Sequence, residues 1–213
     1  MSYKDPVYYD DINRYAMNEV SSFLAEEFGG DEPGKGMIAH ELESEYVHTD
    51  IRVIEPEDDI RTFATFGMGA RETFSPLPQY KRVELVMQAA PRGEYEPDST
   101  QLVICSELQN ISKYPFRNYT WLGPGHTINA SQKFKETFGY DFFLFVQYHH
   151  SLEVRGVGEV SFLMVVPVYE DERNWMASHE NGSLKWTEYY LKSCDDDEPI
   201  GLVDVSREHI IPA

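Results

Sequence analysis

Four residues carry side chains that could bind a metal ion or exchange protons: His48, Asp50, Glu84 and His126. His48 and Asp50 are two positions apart in an alternating stretch, so a strand there places both on one sheet face. Glu84 lies in a second predicted strand, and His126 lies in a glycine-flanked turn. Two imidazoles and two carboxylates are suited to a metal site or a general acid–base pair, which makes a metal-dependent hydrolase one hypothesis.

A structural network is the competing interpretation of these residues, and the sequence favours it. The chain contains no HExxH or HxH motif, no GxSxG, no P-loop and no GxGxxG. Buried ion-pair networks that fix the register of a sheet draw on the same residue types. We therefore predict that His48, Asp50 and Glu84 stabilise the fold, and we predict no catalytic residue, no metal and no cofactor.

The elements that position these residues are predicted from the run between Tyr46 and Ala89. Its three pieces, residues 46–56, 59–70 and 80–90, alternate with a period of two, which is typical of strands whose two faces differ. Proline and glycine residues separate the pieces and favour turns. The pattern predicts three consecutive antiparallel strands at the core of a sheet.

Further helices and strands are predicted around this core. Apolar residues at three–four spacing predict a helix from Asp10 or Asp11 to Phe28, and another from Asp98 or Ser99 to Lys113 with Leu102 and Cys105 on its apolar face. The remaining predictions are strands over 37–42, 140–148 and 159–169, one or two helices over 170–192, and an edge strand in the tail near Leu202. The fold class is α+β, a mixed, largely antiparallel central sheet flanked by helices.

The segment from Gly67 to Pro78 is a glycine- and proline-containing loop within this sheet. Loops on a rigid scaffold often bind partners, although a plain connection is the commoner role of such a segment. Three aromatic residues, Phe116, Tyr119 and Trp121, occur in a second turn-rich segment and could anchor a partner or pack in the core.

The charge balance restricts the partners of this chain. It has 18 basic and 37 acidic residues, a formal net charge of −19 at pH 7. A surface of this sign repels phosphates, so we expect no nucleic acid and no membrane as partner. A basic protein would be attracted, and solubility alone is the other explanation of the charge.

The two cysteines, Cys105 and Cys194, form no CxxC motif and no paired framework. Such a sequence is typical of a reducing compartment. The first residues lack the basic and then apolar pattern of a signal peptide, and no apolar run is long enough to span a bilayer. We therefore expect a cytoplasmic protein, and we expect Cys105 to be a buried, inert thiol.

Several short motifs, taken in order, resemble the suppressor-of-fused family in its bacterial, single-domain form. The resemblance extends from about Tyr46 to about Leu191 and rests on the motifs' order and spacing. The motifs are His48-Thr-Asp50-Ile, Thr65-Phe-Gly67-Met68, Val83-Glu-Leu-Val-Met87, Trp121-Leu-Gly-Pro-Gly-His126-Thr-Ile128 and Phe162-Leu-Met-Val-Val-Pro167-Val-Tyr169-Glu-Asp-Glu172.

This resemblance implies a non-enzymatic protein that binds and restrains another protein, as a bacterial immunity or regulatory protein does. The implied partner is a protein, such as a basic toxin or a peptide segment, and the chain would be a monomer or weak homodimer. The family often has serine and aspartate after Gly-Met, whereas this chain has Gly69-Ala70-Arg71. The alternatives left open are the hydrolase and a structural protein without a dedicated partner. The partner-binding candidates are Gly67, Met68, Arg71, Trp121 and His126.

We also expect three segments along the chain. Residues 1–45 form an N-terminal helix and leading strand of the same domain. Residues 46–192 form the suppressor-of-fused-like core, and residues 193–213 form an acidic loop and a C-terminal edge segment.

Overall fold

The structure is a computed structural model, and it describes residues 11–29, 37–41, 46–54, 60–90, 97–193, 202–204 and 207–212. These residues form five α-helices and eight β-strands. The helices are α1 (Asp11–Glu27), α2 (Pro97–Asn118), α3 (Gln132–Phe138), α4 (Glu170–Ser178) and α5 (Gly182–Ser193). The strands are β1 (Met37–Ala39), β2 (Asp50–Ile54), β3 (Arg61–Phe66), β4 (Val83–Ala89), β5 (Thr127–Asn129), β6 (Phe142–Val154), β7 (Gly158–Val168) and β8 (Leu202–Val203).

The strands form one mixed sheet in the order β1-β2-β3-β4-β7-β6-β5. The three core strands predicted from the sequence, β2, β3 and β4, are antiparallel neighbours, and the two later predicted strands, β6 and β7, form a hairpin. The β4–β7 pair is parallel, which makes the sheet mixed. The predicted α+β fold class, with a largely antiparallel central sheet flanked by helices, is confirmed.

Helices cover both faces of the sheet. Ile104, Cys105, Leu108 and Ile111 of α2 and Phe134 of α3 pack in one apolar cluster. Residues of α1, α4 and α5 pack in a second cluster, on the other side of strands such as β4. This burial on two sides explains why β2, which alternates in sequence, has all five residues buried. Arg52, one of the two charged residues of β2, donates a hydrogen bond to the carbonyl oxygen of Ser21 in α1, 3.0 Å away.

The structure corrects the sequence analysis at Leu102 and adds detail for three short elements. Leu102 does not lie on the buried face of α2, because 59% of its surface is exposed. The strand in the tail, β8, pairs in parallel with β4. Two short elements, β5 and α3, were not predicted, although Ser131 caps α3 by accepting a hydrogen bond from the Phe134 amide.

The described part of the tail closes over the end of the sheet beside α4 and α5. The Trp186 indole donates to the carbonyl oxygen of Ile210 at 2.8 Å, and the Tyr169 hydroxyl donates to that of Arg207 at 3.0 Å. Arg207 also pairs with the buried carboxylate of Glu172. The acidic run that follows Ser193, together with Cys194, lies outside the described residues.

Candidate functional site

The structure separates the four residues that could have formed one chemical site. His48 contacts Asp50, with its Nε2 atom 2.9 Å from the Asp50 Oδ1 atom. Glu84 belongs to a different network, and His126 packs edge-on against Trp121 with ring centroids 4.3 Å apart. Within the described residues, no group of three or more histidine, cysteine, aspartate or glutamate side chains could hold a metal ion.

Asp50 joins the start of β2 to the chain that precedes it. Its Oδ2 atom lies 2.9 Å from His40 Nδ1, and its Oδ1 atom accepts a hydrogen bond from the Glu41 amide at 2.9 Å. The Glu41 carboxylate accepts from the Thr49 amide and pairs with Lys113 of α2. Asp50 is almost fully buried, so this arrangement fits a structural network better than a catalytic pair.

We expect Asp50→Ala to lower the free energy of unfolding by about 2–3 kcal/mol, because the buried Glu41 amide loses a charged acceptor. Asp50→Asn retains one carbonyl oxygen and is expected to cost less. Urea denaturation of both variants measures the difference. If Asp50→Ala leaves the stability unchanged but abolishes partner binding, then Asp50 contributes to the binding site and not to the stability of the fold.

Glu84 on β4 is enclosed by the turn that follows β3. Its Oε1 atom accepts hydrogen bonds from the amides of Gly67 and Gly69, both at 2.9 Å, and its Oε2 atom accepts one from the Thr65 hydroxyl at 2.6 Å. The side chain is fully buried, and this burial raises the pKa of Glu84 to about 7 although the hydrogen bonds oppose the shift. Glu84 therefore fixes the beginning of the loop after β3.

The glycines of this turn are required by their close approach to other groups. Gly67 has φ +113°, and a Cβ atom there would lie 2.6 Å from the carbonyl oxygen of His48. At Gly69, a Cβ atom would lie 2.9 Å from a Val160 methyl group and 3.2 Å from Glu84 Oε1. Met68 between them is fully buried in the core. The structure thus gives Gly67 and Met68, both partner-binding candidates by sequence, positions beneath the surface.

The rest of the loop reaches the surface and is held in place. Arg82 Nη1 donates to the carbonyl oxygens of Gly69 and Ala70 at 3.0 and 2.7 Å. The Thr73 amide donates to the carbonyl oxygen of Lys81 at 2.7 Å, and the Ser161 hydroxyl of β7 donates to that of Gln79 at 2.7 Å. Arg71, another candidate, donates to the carbonyl oxygen of Tyr46 and lies 5.3 Å from the ring centroid of Phe116, which is buried.

An apolar surface forms where this loop meets the end of α2. Phe74, Leu77 and Tyr119 are 40%, 41% and 64% exposed, and the rings of Phe74 and Tyr119 lie 5.5 Å apart. The Phe74 amide donates to the carbonyl oxygen of Thr120 at 3.3 Å, which joins the two segments. Tyr80 stacks on Trp121 at 5.9 Å. We call Phe74, Leu77, Tyr80, Tyr119 and Trp121 the apolar platform.

Two of the platform's residues, Tyr119 and Trp121, were predicted from the sequence as possible anchors, and the other three were not. Phe74 and Leu77 stand among serine and proline residues in the loop, and large apolar side chains in such a segment were the available signal. The candidate His126 lies at the margin of the platform, half-buried against Trp121.

Cys105 matches the description of an inert thiol. It is buried in the first apolar cluster, and burial raises the pKa of the thiol to about 12. At neutral pH this side chain therefore remains protonated.

The comparisons with known proteins point to one family. A family model described as suppressor of fused protein (SUFU) matches residues 45–208, more than half of the chain. Comparison with curated protein sequences finds no match. No helix in the described part of the chain is long and apolar enough to cross a membrane.

Solved structures with low sequence identity share the fold. A SUFU homologue from Neisseria gonorrhoeae is similar with a TM-score of 0.58 at 16% identity, and the match covers 95% of this chain and 99% of that one. Drosophila Suppressor of Fused matches with a TM-score of 0.58 at 16% identity over 85% of this chain and 48% of its own. A chain of the Sufu–Fu complex matches with a TM-score of 0.54 at 14% identity, covering 81% and 84%.

Proposed function

We infer that this chain, which belongs to the suppressor of fused family, is a non-enzymatic protein-binding module. The observation that carries this proposal is the apolar platform, where Phe74 and Leu77 are substantially exposed on a loop that Glu84 and Arg82 hold in place, beside the exposed Tyr119 at the end of α2. Aromatic and aliphatic side chains on a preorganised surface are the usual anchors of protein interfaces. A structure of a relative in the Sufu–Fu complex supports the same class of function.

The finer proposal is that the module binds and restrains one partner protein in the cytoplasm, as an immunity or regulatory protein does. Restraint requires a partner that remains bound, and a rigid apolar surface loses little conformational entropy when it is covered. In this proposal the buried Asp50 and Glu84 and the partly buried His48 stabilise the scaffold and take no part in the contact. The contacts of the described tail residues, 202–204 and 207–212, with α4, α5 and β4 support one folded unit that includes the tail.

A paired capture experiment tests the platform. We expect Phe74→Ser/Leu77→Ser to reduce the amount of a captured partner by at least about tenfold, since anchor residues each contribute more than about 1 kcal/mol to binding. The protein and its variants are immobilised in turn, exposed to lysate of the source cells, and analysed by quantitative mass spectrometry.

Leu102→Ser/Leu184→Ser is the matched control, because both leucines are exposed, at 59% and 60%, but lie outside the platform, near the beginnings of α2 and α5. A partner retained by the wild type and by this control, but lost by the platform variant, supports the proposal. Equal capture by the platform variant contradicts it, provided that all three proteins have similar melting temperatures. The immunity proposal adds that the captured protein is toxic when expressed alone, and that co-expression of the wild type, but not of the platform variant, restores growth.

A further inference from the structure

Side chains of the folded body bind the main chain of the tail around Arg207, which lies outside any helix or strand. The Tyr169 hydroxyl donates to the carbonyl oxygen of Arg207 at 3.0 Å, and the Trp186 indole donates to that of Ile210 at 2.8 Å. The Ile210 amide donates to Glu172 Oε1 at 2.8 Å. These contacts address groups that every peptide carries, so they can bind an extended segment of another sequence as well.

The Arg207 side chain enters a pocket that is made of one carboxylate and four aromatic rings. Its Nη1 and Nη2 atoms lie 2.7 and 2.8 Å from the two oxygens of Glu172, which is a bidentate pairing. Its Cζ atom lies 5.0 to 6.0 Å from the ring centroids of Tyr140, Tyr169, Trp186 and Tyr190. A planar guanidinium fits this fork and these faces better than an ammonium group does, so the pocket selects arginine over lysine. We call Glu172 and the four aromatic residues the guanidinium pocket.

A second side chain of the tail is bound three positions after the arginine. Ile210 packs against the second apolar cluster, whereas the next residue, Ile211, is 46% exposed. His209 stacks on the Tyr169 ring at 3.8 Å, but its side chain is 54% exposed, so it contributes less to recognition. The body therefore recognises an arginine and an aliphatic residue at a fixed spacing.

We propose that the guanidinium pocket is a binding site for a partner protein's extended segment, in which an aliphatic residue follows an arginine by three positions. The chain's own tail occupies this site until such a segment displaces it. The inference goes beyond the proposed function, because it assigns a second contact that is separate from the apolar platform. The platform loop contacts β7 at Ser161, whereas Arg207 contacts it at Pro167, towards the other end of the strand.

Displacement of the tail leaves no buried charge unpaired. An incoming arginine replaces Arg207 against Glu172, whereas deletion of Arg207 would leave that buried carboxylate without a cation. The tail is attached to the body, so it competes at an effective concentration on the order of millimolar. An isolated peptide therefore binds weakly, while a partner that contacts the body at a further site displaces the tail more readily.

The charge of the chain indicates which molecule supplies the segment. The net charge of −19 repels a second copy of this protein and attracts a basic one. The occupant is accordingly a segment of a different protein, and its arginine is part of that attraction.

Binding of a synthetic peptide to the intact chain tests this proposal. The probe is a fluorescein-labelled peptide with the sequence of residues 203–213, and fluorescence anisotropy measures its binding. We expect millimolar binding to the wild type and at least about tenfold tighter binding to full-length Arg207→Lys/Ile210→Ala, whose own tail competes less well. Within the peptide, citrulline in place of arginine, or Ile210→Ala, is expected to weaken binding at least about tenfold. Ile211→Ala in the peptide is the matched control and is expected to change nothing.

A measurement on the wild type decides the proposal even if that variant fails to fold. Hydrogen exchange of the Ile210 amide is followed by NMR in the ¹⁵N-labelled protein, in which the added peptide is invisible. Glu172 protects this amide while the tail is bound. We expect the unlabelled peptide at about 5 mM to accelerate its exchange, and the citrulline peptide at the same concentration to have no effect.

Four outcomes overturn the inference. An Ile210 amide that the peptide leaves protected shows that the tail is a permanent part of the fold. Equal binding of the citrulline peptide shows that the pocket does not recognise arginine. Peptide binding that is lost in Phe74→Ser/Leu77→Ser assigns the peptide to the apolar platform. A wild-type dimer in analytical ultracentrifugation that Arg207→Lys/Ile210→Ala abolishes identifies a second copy as the occupant. None of these results bears on capture of a partner by the platform, which the lysate experiment decides.

Discussion

Arg207→Ala is expected to lower the free energy of unfolding by about 3–5 kcal/mol, because it leaves a buried carboxylate without its cation. Glu172 is fully buried. Its Oε1 atom accepts hydrogen bonds from Arg207 Nη1 at 2.7 Å and from the Ile210 amide at 2.8 Å. Its Oε2 atom accepts from Arg207 Nη2 and from the Tyr169 amide, both at 2.8 Å.

The surroundings of Arg207 add to this expected loss. Its guanidinium carbon lies 5.4 and 5.0 Å from the ring centroids of Tyr140 and Tyr169, so the cation is also stabilised by aromatic faces. Burial by itself would lower the pKa of Arg207, but the Glu172 carboxylate raises it above its ordinary value. The arginine therefore stays charged throughout the accessible pH range. The loss of stability expected for Arg207→Ala is accordingly independent of pH between neutrality and pH 9.

A double-mutant cycle measures the coupling. Urea denaturation is compared for Arg207→Ala, Glu172→Ala and the double variant, and the double variant is expected to be more stable than the sum of the two losses predicts. Arg155→Ala, at an exposed site between β6 and β7, is the control and is expected to change stability by less than about 0.5 kcal/mol. Additive losses in the cycle contradict the pairing.

Glu84→Gln is expected to stabilise the protein at pH 8 by as much as about 3 kcal/mol while leaving it unchanged near pH 5. Burial raises the pKa of Glu84 from 4.5 to about 7, so the carboxyl group takes up a proton on folding between these two values. Its contribution to stability is therefore greatest below the unfolded pKa and is lost as the pH rises through the folded pKa. Glutamine represents the protonated form at every pH.

The hydrogen bonds of Glu84 make glutamine a suitable replacement. The glutamine oxygen accepts from the Gly67 and Gly69 amides as Glu84 Oε1 does, and its amide nitrogen donates to the Thr65 hydroxyl oxygen. Urea denaturation at pH 5, 6, 7 and 8 measures the free energy of unfolding of the variant and of the wild type. Because both proteins contain the same other acidic residues, the contribution of those residues cancels in the difference. A difference that stays constant over this range contradicts the raised pKa.

Glu84→Ala separates the charge of this residue from its role as an acceptor. It leaves two buried amides without their carboxylate, and we expect a loss of about 2–4 kcal/mol at pH 5, where the charge is already neutralised. If the alanine variant is as stable as the wild type at pH 5, the turn after β3 does not depend on Glu84.

Elements with a regular pattern were predictable from the sequence because their periodicity is local. The strands β2, β3 and β4 alternate in sequence, and α1 carries an apolar stripe, so their presence and approximate bounds followed directly. The helix α2 was found by the same argument, but its face was assigned incorrectly at Leu102 because only the packed sheet decides which part of a stripe is covered. The elements β5 and α3 are too short for a periodic signal.

The candidate site was less predictable, because its residues come from distant parts of the chain. The contact between His48 and Asp50 is local and was expected, whereas Glu84 and His126 could have joined them and do not. Phe74 and Tyr119 are 45 positions apart and meet only because α2 ends beside the loop. Their exposure likewise depends on which segments pack over them, and a sequence does not state this.

The sequence by itself determined the α+β class, the core strands and the excess of acidic residues, since periodicity and composition are properties of the chain. Only the tertiary structure decided which carboxylates are buried and which apolar residues remain at the surface. Glu84 illustrates why the tertiary structure is needed, because the environment of a side chain sets its chemical properties. On an exposed strand the pKa of this carboxylate would stay near its ordinary value. In the fold, burial raises that pKa to about 7, and the Gly67 and Gly69 amides donate hydrogen bonds to the carboxylate, which fixes the loop after β3.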